Sequence, residues 1–119
     1  LLGPRIYCAG PVIDGADPVW PPSSASVSSL EQIPKLVSQL KASGVDILKA
    51  YVGLSDPMVA LLASEGRKVS LPVFVDEWTR NGSIDLMEAG ISAFAHTPTR
   101  DMPDEAVALM KEKALVISS

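Results

Sequence analysis

Aromatic residues are scarce in this chain, at 5% of 119 positions, so its core must be built from Val, Leu, Ile and Ala. There is one cysteine, Cys8, which excludes an internal disulfide and any cysteine framework. It stands in an apolar run, where a buried and inert thiol is the expectation. There is one histidine, His96, and therefore no HxH or HExxH pair; a glycine-rich phosphate loop is also missing. The ten basic residues are spread along the chain and the net charge is −4, which argues against a nucleic-acid partner, since that needs a clustered basic face. No apolar stretch approaches the ~20 residues of a membrane helix, and no signal peptide is visible.

What is present is ordinary globular chemistry. Apolar residues make up 47% and charged residues 20%, which excludes a disordered tail. The length suits one domain with a modest core. The chain starts at Leu1 almost directly on a strand-like segment and stops at Ser119 beside another. The expectation is that residues 1–119 form an internal piece of a larger domain.

Arg5 to Ala9 (RIYCA) reads as a strand closed by Gly10-Pro11, and Val12 to Ser28 as a long loop rich in proline and serine. Ser28-x-x-Glu31 reads as a capping box before a helix with apolar residues at Ile33, Leu36, Val37 and Leu40, ended by Gly44. Val45 to Val52 is a second strand. A second helix is capped by Ser55 or Asp56, with Pro57 in its first turn and Gly66 as its stop. Pro72 to Asp76 is a third strand, Ser83 to Ala89 a short helix, Ser92 to His96 a fourth strand, Asp104 to Lys113 another helix, and Leu115 to Ser118 a fifth strand. Strands alternating with helices imply right-handed crossovers and a parallel α/β sheet, either an open doubly wound sheet or part of a (β/α)8 barrel.

In both architectures function gathers at the carboxyl ends of the strands. Lys49, Asp76 and His96 each close an otherwise apolar strand. Period-two alternation puts Ile47 with Lys49, Phe74 with Asp76 and Phe94 with His96 on one face. Neighbouring strands lie ~4.8 Å apart, so the three polar groups could share one coordination sphere. The plainer alternatives are a hydrogen-bonded structural histidine and a Lys49–Asp76 salt bridge.

These residues carry a resemblance. Gly44-Val-Asp-Ile-Leu-Lys49 is similar to the "G-hydrophobic-D-x-I-K" strand of the metal-dependent amidohydrolase superfamily, in its imidazolonepropionase-like and prolidase-like branch. Glu88-Ala-Gly90-Ile-Ser-Ala-Phe-Ala-His96 resembles that branch's "E-A-G-V-D-S-I-E-H" strand. Gly3-Pro4-Arg5 with Ala9-Gly10, and the Asp104 to Ala106 helix leading into the last strand, are similar as well. The resemblance covers nearly the whole chain. It implies an internal portion of a TIM-type (β/α)8 barrel, from about the third to the seventh strand.

The resemblance further implies a metal-dependent hydrolase of C–N bonds in amides, cyclic amides or dipeptide-like small molecules. The metal is usually zinc, held by two first-strand histidines, a carboxylated fourth-strand lysine, one histidine each from the fifth and sixth strands, and an eighth-strand aspartate. Lys49 matches the lysine and His96 the sixth-strand histidine; Asp76 stands where the branch has its fifth-strand histidine. Aspartate binds zinc through oxygen, with different charge and reach. An unmodified lysine has donors only and cannot ligate a cation, so Lys49 needs carboxylation to take part. Without metal it becomes an ammonium partner for Asp76. Loop residues Trp20, Trp78, Arg80 and Arg100 are candidate substrate contacts, beside Glu77, Thr79, Thr97 and Thr99. A non-catalytic, diverged barrel and an unrelated doubly wound binding domain are the alternative readings, and a homo-oligomer is possible.

Overall fold

The computed structural model describes residues 2–76, 80, 83–98 and 100–118. Six strands form one parallel sheet among these residues: β1 (Val12–Asp14), β2 (Ser24–Ser26), β3 (Leu48–Ala50), β4 (Val73–Val75), β5 (Ala93–Phe94) and β6 (Val116–Ile117), in the spatial order β2-β1-β3-β4-β5-β6. Four helices connect them: α1 (Ile33–Ala42), α2 (Asp56–Lys68), α3 (Ser83–Ala89) and α4 (Asp104–Glu112). Each helix packs on the next, as α1 on α2, α2 on α3 and α3 on α4, so all four cover the same side.

The alternation within each strand explains that layering. Leu48 and Ala50 on β3, and Val73 and Val75 on β4, are buried in the core with Ile33, Val37 and Leu40 of α1, Val59 and Leu62 of α2 and Leu86 and Met87 of α3. Lys49 and Phe74, which lie between them and face each other across the strands, are only half-buried. One face is therefore an aliphatic seal, and the other stays open. Truncating a fully buried Leu62 to alanine would cost about 3 kcal/mol.

Local chemistry sets the element ends. Gln32 Oε1 accepts from the backbone N–H groups of Ser28 and Ser29 ahead of α1, so the cap uses Ser29 and Gln32 and not the Ser28–Glu31 pair expected. Ser55 Oγ accepts from Met58 N at the start of α2, with Pro57 in the first turn. Gly66 does not stop α2, which continues to Lys68. It is buried where helix meets sheet: a Cβ there would lie 2.7 Å from Leu71 O and 3.2 Å from Leu48 Cδ1.

Three sequence expectations are corrected. Arg5 to Ala9 is not a strand; Ile6, Tyr7 and Cys8 are exposed, and the segment touches the fold through Cys8, whose backbone exchanges hydrogen bonds with Asp46. The strand begins after Gly10, where Ile13 becomes fully buried, so Cys8 is an exposed thiol and not a buried one. Ser24–Ser26 is a sixth strand, parallel to β1 on its outer side, formed by a serine-rich run with little intrinsic strand preference. Phe94 does not share a face with Phe74: it pairs with Val75 and is fully buried under the helices.

Candidate functional site

The open face at the carboxyl ends of the strands brings Lys49, Asp76 and His96 together. Lys49 is carried by β3. Asp76 follows β4 directly and stays on the ladder, its N–H donating to Ala50 O at 3.0 Å. The chain bends after Phe94, which frees His96 from strict alternation and lets it turn back over the face. Lys49 Nζ lies 3.1 Å, and His96 Nε2 3.0 Å, from the same atom, Asp76 Oδ1. That oxygen is buried, yet neither neighbour meets it with hydrogen-bonding geometry, so it is an acceptor held among cationic or potentially cationic groups without a directed bond. Asp76 is 7% exposed, Lys49 30% and His96 62%. The carboxylate is thus the enclosed centre, and the other two reach it from the solvent side.

A second aspartate at a strand end was not anticipated. Asp14 closes β1 on the same open face and is 0% exposed. Its Oδ1 accepts from Gly15 N at 2.9 Å and Gly53 N at 2.8 Å, and its Oδ2 from Val19 N at 2.9 Å. The loops after β1 and β3 are thereby joined through one carboxylate. They meet glycine to glycine: a Cβ on Gly53 would stand 2.5 Å from Asp14 Oδ1 and 2.9 Å from Gly15 N. The signal was present in the sequence, since Val12-Ile13-Asp14 repeats the pattern of an apolar strand closed by a carboxylate.

Arg80 holds the same β3 loop from the other side. Its Nη2 donates to Tyr51 O at 2.6 Å, and its Nη1 to Leu54 O at 2.5 Å and Asp56 Oδ1 at 3.2 Å. The side chain is 8% exposed. Its guanidinium is directed into the protein's own backbone. Trp20 is exposed on the β1–β2 loop, Arg100 and Thr97 are exposed beyond β5, and Glu77, Trp78, Thr79 and Thr99 lie outside the described residues.

No protein-family model matches the chain, and no curated protein matches it. Solved structures do. The chain is similar to the crystal structure of ochratoxinase from A. niger, at a TM-score of 0.77 and 15% identity over 98% of this chain and 36% of that one. It is similar to a Xaa-Pro dipeptidase with methionine bound in its active site, at 0.75 and 20% over 98% and 35%. It is also similar to the bottromycin amidohydrolase, at 0.67 and 19% over 92% and 26%. The chain shares its fold with part of the barrel of each of these proteins. It spans about a quarter to a third of the length of these chains, as parallel βα units with the helices outside.

The family resemblance noted in the sequence implies a divalent metal, and the donors here fit one in part. The buried, unbonded Asp76 Oδ1 and the adjacent His96 Nε2 are an oxygen and a nitrogen of the kind zinc takes. The Lys49 ammonium offers no lone pair. Among the described residues no three His, Cys, Asp or Glu side chains gather as a metal-binding group, so these residues supply fewer donors than a closed tetrahedral site uses.

Proposed function

We propose that this chain forms the lysine–aspartate–histidine side of a metal-dependent hydrolase acting on C–N bonds in amides, cyclic amides or dipeptide-like small molecules. The observation that carries this is the convergence of Lys49 and His96 on the buried Asp76 Oδ1, at the carboxyl end and on the open face of a barrel-type sheet. The similarity to an ochratoxinase, a Xaa-Pro dipeptidase and an amidohydrolase supports the reaction class.

Asp76 and His96 would hold the ion, with further ligands from elements beyond this chain. When bound, a divalent ion such as zinc polarises the substrate carbonyl and brings the pKa of water near neutrality. Lys49 has two states with different consequences. As an ammonium it neutralises Asp76 and competes with the cation for the carboxylate; as a carbamate it becomes an anionic oxygen ligand itself. Asp76 keeps its carboxylate enclosed, which strengthens its attraction for any cation placed against it. Phe74, beside Lys49 on the open face, gives the floor of the site an apolar surface.

The test is hydrolysis of Xaa-Pro dipeptides and N-acyl amino acids by a protein carrying these residues within a complete barrel, assayed with added zinc and after chelation. Asp76→Ala and His96→Ala should each lower kcat/KM by about 100-fold or more, since each removes a metal ligand and its charge. Unchanged turnover in both variants would leave Lys49 and Asp76 as a structural pair and sink the proposal.

A further inference from the structure

The register places a fourth side chain at this site. Ala50 pairs with Ile13 on one side and Val75 on the other, and all three are buried on the helix-covered face. The next residue, Tyr51, therefore lies on the open face, with Asp14 and Asp76 as its cross-strand neighbours and Lys49 two positions behind it. The ladder runs on through this row: Tyr51 N donates to Ile13 O at 2.8 Å, and Asp76 N to Ala50 O at 3.0 Å. Tyr51 is half-buried.

The backbone that carries Tyr51 is held with unusual investment. Its carbonyl and that of Leu54 are taken by the Arg80 guanidinium, and the N–H of Gly53 by the Asp14 carboxylate. A loop at a strand end ordinarily leaves such groups to water. Here two charged side chains, 8% and 0% exposed, are buried to bind three of the four residues from Tyr51 to Leu54. Burying a charge is unfavourable unless hydrogen bonds replace its water, so the arrangement persists only by fixing this segment rigidly. The residue that this segment places in register on the open face is Tyr51.

We infer that Tyr51 contacts substrate, donating a hydrogen bond from its hydroxyl to the carbonyl oxygen of the scissile amide, and that Asp14 and Arg80 are positioning residues that set where that hydroxyl sits. The inference rests on the function proposed above and deepens it. In the hydrolysis, water's oxygen bonds to the carbonyl carbon, the C–N bond breaks, and a water proton ends on the departing nitrogen. Tyr51 keeps its own proton throughout. Its contribution is a donor aimed at the oxygen on which negative charge accumulates, an interaction stronger in the transition state than with the resting amide.

The experiment compares steady-state kinetics of Tyr51→Phe, Arg80→Lys and the double variant in the zinc-loaded complete barrel, with Xaa-Pro dipeptides as substrates. Tyr51→Phe keeps the ring and should fold normally. It should lose about 100-fold in kcat, with KM changed less than about threefold. Arg80→Lys retains the charge without the fork that spans two carbonyls, and should lose about tenfold in kcat. The double variant should be no worse than Tyr51→Phe alone, because Arg80 acts through Tyr51. Full kcat in Tyr51→Phe would overturn the inference while leaving the hydrolase reading intact. Multiplying losses in the double variant would overturn the positioning role of Arg80. An unmodified protein that cleaves no amide with zinc would remove the functional reading itself, and this inference with it.

Discussion

The ends of β1 and β4 place the same residue type in the same setting and wire it in opposite ways. Asp14 and Asp76 are both buried aspartates at the carboxyl end of the sheet, on the open face. Asp14 is surrounded by backbone: three N–H groups from two loops converge on its two oxygens. Asp76 is surrounded by side chains, and its Oδ1 receives no directed hydrogen bond from them. A carboxylate satisfied by backbone amides is fixed in position, and its work is to hold loops. A carboxylate facing a lysine and a histidine has side-chain partners that can move aside for a cation. The difference separates a residue that builds the rim from one that occupies the site.

That contrast is open to a direct stability comparison. Asp14→Ala should destabilise the chain by about 3 kcal/mol, because three amides lose a shared acceptor and at least one is buried with it. Asp76→Asn should change stability by less than about 1 kcal/mol, since it keeps the side chain's size, Oδ1 receives no directed bond, and Lys49 and His96 are partly in water. Urea unfolding of the two variants beside the unmodified chain decides it. Equal losses would show that both ends are structural.

A smaller effect concerns the edges of the sheet. Val116 is 54% and Ile117 38% exposed on β6, next to an apolar groove of about 500 Å³ lined by Met102, Val107, Met110 and Leu115. An open apolar edge pairs readily with another strand. Sedimentation of the 119-residue chain should therefore show association rising with concentration, and Ile117→Lys should reduce it. A constant monomer mass for the unmodified chain would contradict this.

The smallest effect belongs to Glu31 at the start of α1. Its own backbone N–H, and then the Ser29 hydroxyl, hold its carboxyl below the ordinary range. A depressed carboxylate pKa stabilises the fold above the ordinary value and loses that contribution as pH falls toward the depressed one. Glu31→Gln should thus lower the melting temperature slightly at neutral pH, with the difference vanishing in acid. A difference that grows as pH falls would reverse the assignment.

Much of this layout is legible in the sequence. The helices announce themselves by apolar spacing, and the strands now numbered β3 to β6 by short apolar runs between glycine and proline breaks. Lys49, Asp76 and His96 were legible as polar residues closing apolar strands. The first strand was misplaced because RIYCA has stronger strand composition than Val12-Ile13-Asp14, while only the latter finds a pairing partner on both sides. β2 was invisible because its serines carry no apolar alternation; its pairing with β1 makes it a strand. Phe94 was assigned to the wrong face by counting back from His96, which fails because the chain bends between them. Asp14, Tyr51 and Arg80 escaped as a unit because their connection runs through backbone amides and carbonyls, which sequence patterns do not record.

In the proposed function, Lys49, Asp76 and His96 are one part of a metal centre that needs further ligands to close. Zinc titration of the purified 119-residue chain by calorimetry, with elemental analysis after dialysis, tests it most directly when Asp76→His is measured alongside. The unmodified chain should retain less than one equivalent of zinc and bind it weakly. Asp76→His should bind on the order of tenfold more tightly, because two imidazoles then face one ion in place of one imidazole and a carboxylate already occupied by Lys49. Tight, stoichiometric zinc in the unmodified chain, or no change in Asp76→His, would contradict the claim.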